Sequence, residues 1–446
     1  MEKLFKLKQN GTNVKTEVMA GLTTFFAMAY IIFINPTFLG DGTPANMPTT
    51  AVMVATCLSA AIGTWLIGIL TNYPLAQAPG MGLNAVFTYT LCGTLGMSYR
   101  AALAAVFISG LFFILLTITG ARKAIVAAIP LNMKKAIAAG IGFFIALLGF
   151  RNGGLIVSNP DTVLSMGSLK NPSTLLALFG LALTIVLVIA KVKGGLCISI
   201  LGTSTVACIL QFGFKVDVGV SMPKTWVPDL DFSLFGEMFS GFGELFQTSI
   251  ASVLSVMITL VLVNMFDTLG TLIGAADKAG YLDENGNMPK LERAMLADAL
   301  ATSAGAVIGT STVTTYMECT AGISEGAKTS LTSIVTGACF ALSIFLSPIL
   351  GFVPPAATAP VLIIVGVMMA GALREVKWNN LEESIPAFIT VFGMPMFCSI
   401  TDGIAFGLMS YVIVTIAAGK IKKIHPVMYV VIALLLLKYV LSALPI

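Results

Sequence analysis

Charge is scarce in this chain. Asp, Glu, Lys and Arg make up only 10% of its 446 residues, while 57% are hydrophobic; soluble domains carry roughly 25% charged residues, so a soluble fold is excluded. Histidine is almost absent: the single His425 lies in a basic loop near the C-terminus. That excludes a histidine-rich metal centre and serine-histidine chemistry, and leaves carboxylates to carry any proton. The seven cysteines are scattered through apolar segments without a CxxC pair, so they read as packing residues and no metal is expected. No basic patch interleaved with aromatics is present, and nucleic acid is not an expected partner. The opening MEKLFKLKQNGTNVKTE has no apolar core or small-residue cleavage site, so no removable signal peptide is expected.

What fills the chain is long apolar runs. At about 20 residues per spanning helix, its length holds roughly fourteen spans with short loops, which makes it an all-α polytopic membrane protein whose partner is the lipid bilayer. Runs fall at 17–39, 51–71, 80–95, 101–119, 134–150, 173–190 and 195–212. They resume after a polar and amphipathic connection at 249–276, 293–309, 315–326, 329–349, 358–373, 384–400, 403–419 and 427–444. An inside N-terminus puts nineteen basic residues on one face and five (Arg100, Arg151, Lys170, Lys215, Lys224) on the other. The positive-inside rule makes the first face cytoplasmic. The expected organisation is a cytoplasmic tail (1–16), a seven-span repeat (17–212), an extracellular connection (213–247), a second repeat of opposite orientation (248–419), and a basic loop with a terminal apolar helix (420–446). The charge rule leaves open whether that last helix crosses.

Two runs are short and broken by glycine: LAQAPGMGLNAVFTY, third in the first half, and GTSTVTTYMECTAG, third in the second. Matching interruptions in inverted halves point to a transporter's midplane site, where short strands meet half-helices. Glu318 lies in the second of these and Asp267 in the middle of the preceding run, within NMFDTLGTL. Intramembrane acids cost at least a few kcal/mol to bury and mark substrate or ion pathways. The alternative is a structural acid bonded to hydroxyls of a neighbouring helix. On the Asp267 face, Thr271 is the hydroxyl able to line a cavity. Asn84 is a buried amide needing partners for donors and acceptor alike. Phe87, Tyr89 and Tyr316 are either stacking surfaces for a flat ligand or packing. Asp298 is either functional or a brace for the ninth run, and Asp402 reads as a helix cap at the outer surface.

The fragments AGLTTFFAMAYIIFINP, QAPGMGLNAVFTY, NMFDTLGTLIGAADKAGYL and TSTVTTYMECTAGI resemble the signatures of adenine, guanine and hypoxanthine permeases, the AzgA-like branch of the nucleobase-cation symporter-2 (xanthine/uracil permease) group. The resemblance covers essentially the whole chain. It implies two inverted seven-span repeats, with spans 1 to 4 and 8 to 11 as a core domain and spans 5 to 7 and 12 to 14 as a gate domain that often mediates homodimers. It further implies a purine site drawing on Asp267, Glu318, Asn84, Phe87, Tyr316 and the backbone of Met317, with Asp298 as the ninth-span acid implicated in transport. This chain departs from the family in reading ECTAGI for the usual ESAAGI, and in having Asn264 where an acid is common.

The function expected is proton-coupled import of a purine nucleobase across the plasma membrane by alternating access. Asp267 is expected to load the proton and Glu318 to grip the base, with no cofactor and no catalytic step. Rival readings are a transporter of the same architecture for uracil, xanthine or an inorganic anion, and a channel; a membrane enzyme is the weakest, because no catalytic constellation is evident.

Overall fold

The computed structural model describes residues 5–120, 125, 128–222, 226–247, 250–281 and 288–443. The fold is mostly helical. The first half contains α1 (Val14–Met28), α2 (Ile31–Leu39), α3 (Thr49–Thr71), strand β1 (Gln77–Pro79), the short α4 (Met81–Ala85) continued by a π-helical stretch (Val86–Thr94), α5 (Tyr99–Ile118), α6 (Leu131–Asn152), the hairpin β2 (Ile156–Asn159) and β3 (Val163–Met166), α7 (Pro172–Ile189) and α8 (Gly195–Cys208). The second half contains α9 (Glu237–Gln247), α10 (Ile250–Lys278), α11 (Leu291–Ile308), β4 (Val313–Thr315), the short α12 (Cys319–Ser324), α13 (Leu331–Leu342), α14 (Pro355–Ala370), α15 (Leu381–Met396), α16 (Ile400–Ala417) and α17 (Pro426–Ala443).

Helix ends follow local chemistry. Asn13, Ser98, Asn171, Asn380 and Ser399 each accept a backbone N–H at the start of α1, α5, α7, α15 and α16, satisfying donors that the first turn leaves unpaired. Asn72 closes α3 in the left-handed conformation. Among the described residues nine helical stretches are long and apolar enough to cross a bilayer. Four of the fifteen apolar runs fall short of this for physical reasons. The third and tenth runs follow β1 and β4 and form only short helical stretches. α11 carries Glu292, Arg293 and Asp298 in 18 residues, and α15 is only 16 residues long and holds two prolines. The region 213–247, read from sequence as a connection, contains α9, which packs on α5.

The helices pack in two groups. α3, α11, α13, α1 and α5 interlock around one centre, while α6, α14, α15, α16 and α7 interlock around another. α10 touches members of both, including α5, α6 and α16. Ion pairs join loops that the charge rule assigns to the same face: Lys193 with Glu325 at 2.6 Å, Lys135 with Glu375 at 2.8 Å and Lys420 with Glu382 at 2.6 Å on one side, Arg100 with Glu237 on the other. α17 packs against α10 and α16. Tyr439 on α17 donates to Asp402 at 2.7 Å, so Asp402, in the first turn of α16, ties the two helices together; the cap of α16 is Ser399, which accepts the Asp402 N–H.

At the centre β1 and β4 pair antiparallel, with Gln77 opposite Thr315, Ala78 opposite Thr314 and Pro79 opposite Val313. Small residues make room for them. A Cβ on Gly63 of α3 would stand 3.0 Å from Val313 Cγ1, and one on Gly305 of α11 only 2.7 Å from Val313 Cγ2. Gly309 then ends α11 at φ +106°, a conformation that side chains resist. Substituting Gly305 by Val overpacks this seat and is expected to destabilise the protein by about 1–3 kcal/mol. Gly243→Ala on α9, where a Cβ meets open space, serves as the neutral control. Thermal unfolding in detergent checks this; equal melting temperatures for both variants would contradict the seat.

Candidate functional site

The strand pair solves a solvation problem. Non-helical backbone inside a bilayer must find its partners within the protein. Beyond the ladder, Gly80 N donates to Thr312 O and Tyr316 N to Ala76 O, both at 3.0 Å. Thr64 on α3 bonds both Gln77 N and Gln77 O at 3.0 Å, and Thr302 on α11 donates to Val313 O at 3.0 Å. With their backbone satisfied, the strands aim two short helices, α4 and α12, away from the crossing.

Around this crossing the structure gathers several residues singled out from sequence. Glu318, half-buried, occupies the position before α12 and makes no capping bond to its backbone; instead it accepts a hydrogen bond from Tyr30. Tyr30 is completely buried at the break between α1 and α2. Tyr316 donates its hydroxyl to Pro79 O at 2.5 Å, and its ring centroid lies 6.5 Å from that of Tyr30. Asp267, on α10, faces β1: its Oδ2 is 3.5 Å from where a Cβ on Gly80 would be. Gly80 is required there, because that Cβ would also come within 2.7 Å of Thr314 Cγ2. Met317 lays its thioether over Gly274, about two turns further along α10 from Asp267. Asp298 and Glu318 are within electrostatic reach of Asp267.

Residues 15–406 match the permease family (Xan_ur_permease). The chain belongs to the permease family. It is 42% identical over 441 residues to the adenine permease AdeQ of Escherichia coli, covering 99% of this chain and 96% of that protein. It is 40% identical over 435 residues to the guanine/hypoxanthine permease PbuG of Bacillus subtilis, covering 96% and 97%. Among solved structures, the transmembrane domain of the cyanobacterial bicarbonate transporter BicA aligns with a TM-score of 0.60 at 16% identity, covering 91% of this chain and 97% of that one; this likeness is one of fold. Family membership and the apolar helices together make the chain a multi-pass membrane protein.

Other predicted residues of this permease stand differently. Asp298 is fully buried and braced: Thr268 donates to its Oδ2 at 2.7 Å, and Gln77 Nε2 lies 3.5 Å from its Oδ1. The Thr268 hydroxyl also lies 3.1 Å from Asn264 Oδ1 and 3.2 Å from the Thr314 hydroxyl. Its single proton is best placed on the carboxylate. Thr271 turns its hydroxyl back to the carbonyls of Asp267 and Thr268 at 3.0 Å, a bond to its own helix. Phe87 is fully buried in the main apolar core. Tyr89 sits under the Arg151 guanidinium at 5.7 Å. Asn84 is completely buried and accepts from the Ser311 hydroxyl.

Sequence reasoning missed Tyr30, Gln77 and Ser311, and it missed Asn35, which donates to Thr56 at 2.6 Å and to Thr310 at 3.0 Å. It also missed the fully buried Glu17, whose carboxylate takes Lys328 N at 2.9 Å and the Thr332 hydroxyl at 2.6 Å, tying α1 to the start of α13. Gln77 was within reach, since it adjoins the same Pro-Gly break that singled out Asn84. Tyr30 carries no such signal, because its partner is 288 residues away. Replacing Thr268 by Val takes away a donor 2.7 Å from a buried carboxylate and is expected to cost about 1–3 kcal/mol. Thermal unfolding in detergent reads this; an unchanged melting temperature would remove Thr268 from the brace.

Proposed function

We propose that this permease imports purine nucleobases, adenine, guanine or hypoxanthine, by proton symport with alternating access. The observation that carries the reading is the placing of two acids, Asp267 and Glu318, beside one strand crossing inside the apolar core of a chain 42% identical to an adenine permease and 40% identical to a guanine/hypoxanthine permease. A purine edge offers N–H donors beside ring-nitrogen or carbonyl acceptors. Glu318 takes the donors and Asn84 answers an acceptor, since a carboxylate accepts only and an amide does both. Tyr316 and Phe87 supply the surfaces against the base, the backbone of Met317 offers polar groups, and Thr271 stands one turn along α10 from Asp267. Asp267 loads the proton, with Asp298 as the third acid of the coupling set. No cofactor enters the cycle, and no covalent chemistry is required of it.

The same reading takes the chain as fourteen spans in two inverted repeats, 17–212 and 248–419, joined by an extracellular connection at 213–247, with 420–446 as a basic loop and terminal helix. It places the protein in the plasma membrane with a cytoplasmic N-terminus and pairs it as a homodimer through the gate. The two packing groups of helices support a core that moves against a gate, with the site carried on the core side of α10.

Uptake of radiolabelled adenine, guanine and hypoxanthine in cells lacking their own purine carriers, with and without a protonophore, tests this. Wild type should accumulate at least one purine in a protonophore-sensitive manner. Asp267→Asn should lose accumulation by about tenfold or more while retaining exchange of labelled for unlabelled base. Full pH-driven accumulation in Asp267→Asn would overturn the coupling role, and absence of purine uptake by wild type present in the membrane would overturn the substrate class.

A further inference from the structure

An amide side chain can show a ligand either a donor or an acceptor, and something must decide which. Asn84 follows Gly80 by one helical turn, its backbone N–H bonded to Gly80 O at 2.8 Å. It therefore stands one turn beyond Gly80, whose own Cβ position meets Thr314 and Asp267. The Asn84 side chain is completely buried. Its Oδ1 accepts the hydroxyl proton of Ser311, which is itself completely buried just before β4. Its Nδ2 has no hydrogen-bond partner among the described residues. A buried amide nitrogen without a partner costs about 1–3 kcal/mol, so retaining it one turn from the strand crossing calls for a ligand.

We propose that Ser311 is a specificity-determining residue: by holding Asn84 Oδ1 it locks the amide so that Nδ2, a donor, is what the substrate meets. The inference rests on the purine reading above and extends it. The ligand atom opposite Asn84 must be a hydrogen-bond acceptor that adenine and hypoxanthine share, ring nitrogen N3 or N7, while the donor edge of the base turns to the carboxylates. Without the serine hydroxyl the amide is free to rotate through 180°, and the site then accepts either polarity at that position. Ser311 acts through Asn84 and is a positioning residue rather than a contact.

The test compares inhibition constants of adenine and hypoxanthine with those of their 3-deaza and 7-deaza analogues, each lacking one ring acceptor, using uptake by cells expressing the full chain. Wild type should disfavour at least one deaza analogue by about tenfold or more, the size expected when a buried polar group loses its partner. Ser311→Ala should reduce that discrimination severalfold with little change in maximal rate, and Ser311→Thr, which keeps the hydroxyl, should restore it. Should Ser311→Ala fail to reach the membrane, Ser311→Cys provides the same comparison with a much weaker donor. Discrimination unchanged in the Ala or Cys variant would overturn the role of Ser311. A distinct failure, Asn84→Ala with wild-type affinity and discrimination, would show that Asn84 does not meet the base, overturning that part of the purine reading and the proposal with it.

Discussion

The centre of this permease depends on six residues of extended backbone, Gln77–Pro79 and Val313–Thr315, that pair with each other. In hydrocarbon an unpaired peptide group costs several kcal/mol, so neither strand is stable there without the other. The consequences spread outward. α3 and α11 must carry glycine where the strands rest, because a Cβ at Gly63 or Gly305 would press on Val313. The helices that follow the strands must start at the middle of the protein. Asn84 and Glu318 stand at those starts, one from each half of the chain.

The polar interior is braced across the two halves. Tyr30 from the first half holds Glu318 in the second, and Ser311 from the second holds Asn84 in the first. Asn35 reaches Thr310, and Gln77 reaches Thr315 at 3.2 Å and approaches Asp298. Each such bond contributes only about 1 kcal/mol net, but each group left alone would cost more than that. Their larger effect is directional. Hydroxyls fix which way a carboxylate or amide faces, so the site presents a set polarity to whatever enters. α10, which carries Asp267, touches both helix packing groups.

Much of this was legible in the sequence, for definite reasons. The intramembrane acids stood out because charge is so rare here. The broken third and tenth runs stood out because Pro and Gly interrupt an otherwise continuous apolar pattern, and β1 and β4 lie at those interruptions. Asp298 was left open between function and bracing, and the geometry gives it braces in Thr268 and Gln77. What could not be read were long-range pairs of uncharged residues. Tyr30 and Ser311 sit in stretches whose periodicity is the same whether their hydroxyls bond a carboxylate, an amide or a helix carbonyl. Helix α9 lies in what the sequence shows only as a polar and amphipathic connection, because its mix of Phe, Gly, Ser and Glu is too short and polar for a span; it packs on α5.

Hydrogen–deuterium exchange of the purified protein, with and without purine, tests most directly whether the strand crossing is the substrate site. Without purine, the Gly80 and Tyr316 amides, bonded to Thr312 and Ala76, should exchange as slowly as spanning helices. On adding adenine or hypoxanthine, protection should rise together over residues 77–87, 264–274 and 313–322, and uracil should leave it unchanged. Fast exchange at the crossing without ligand, or protection by purine confined to other segments, would contradict the account.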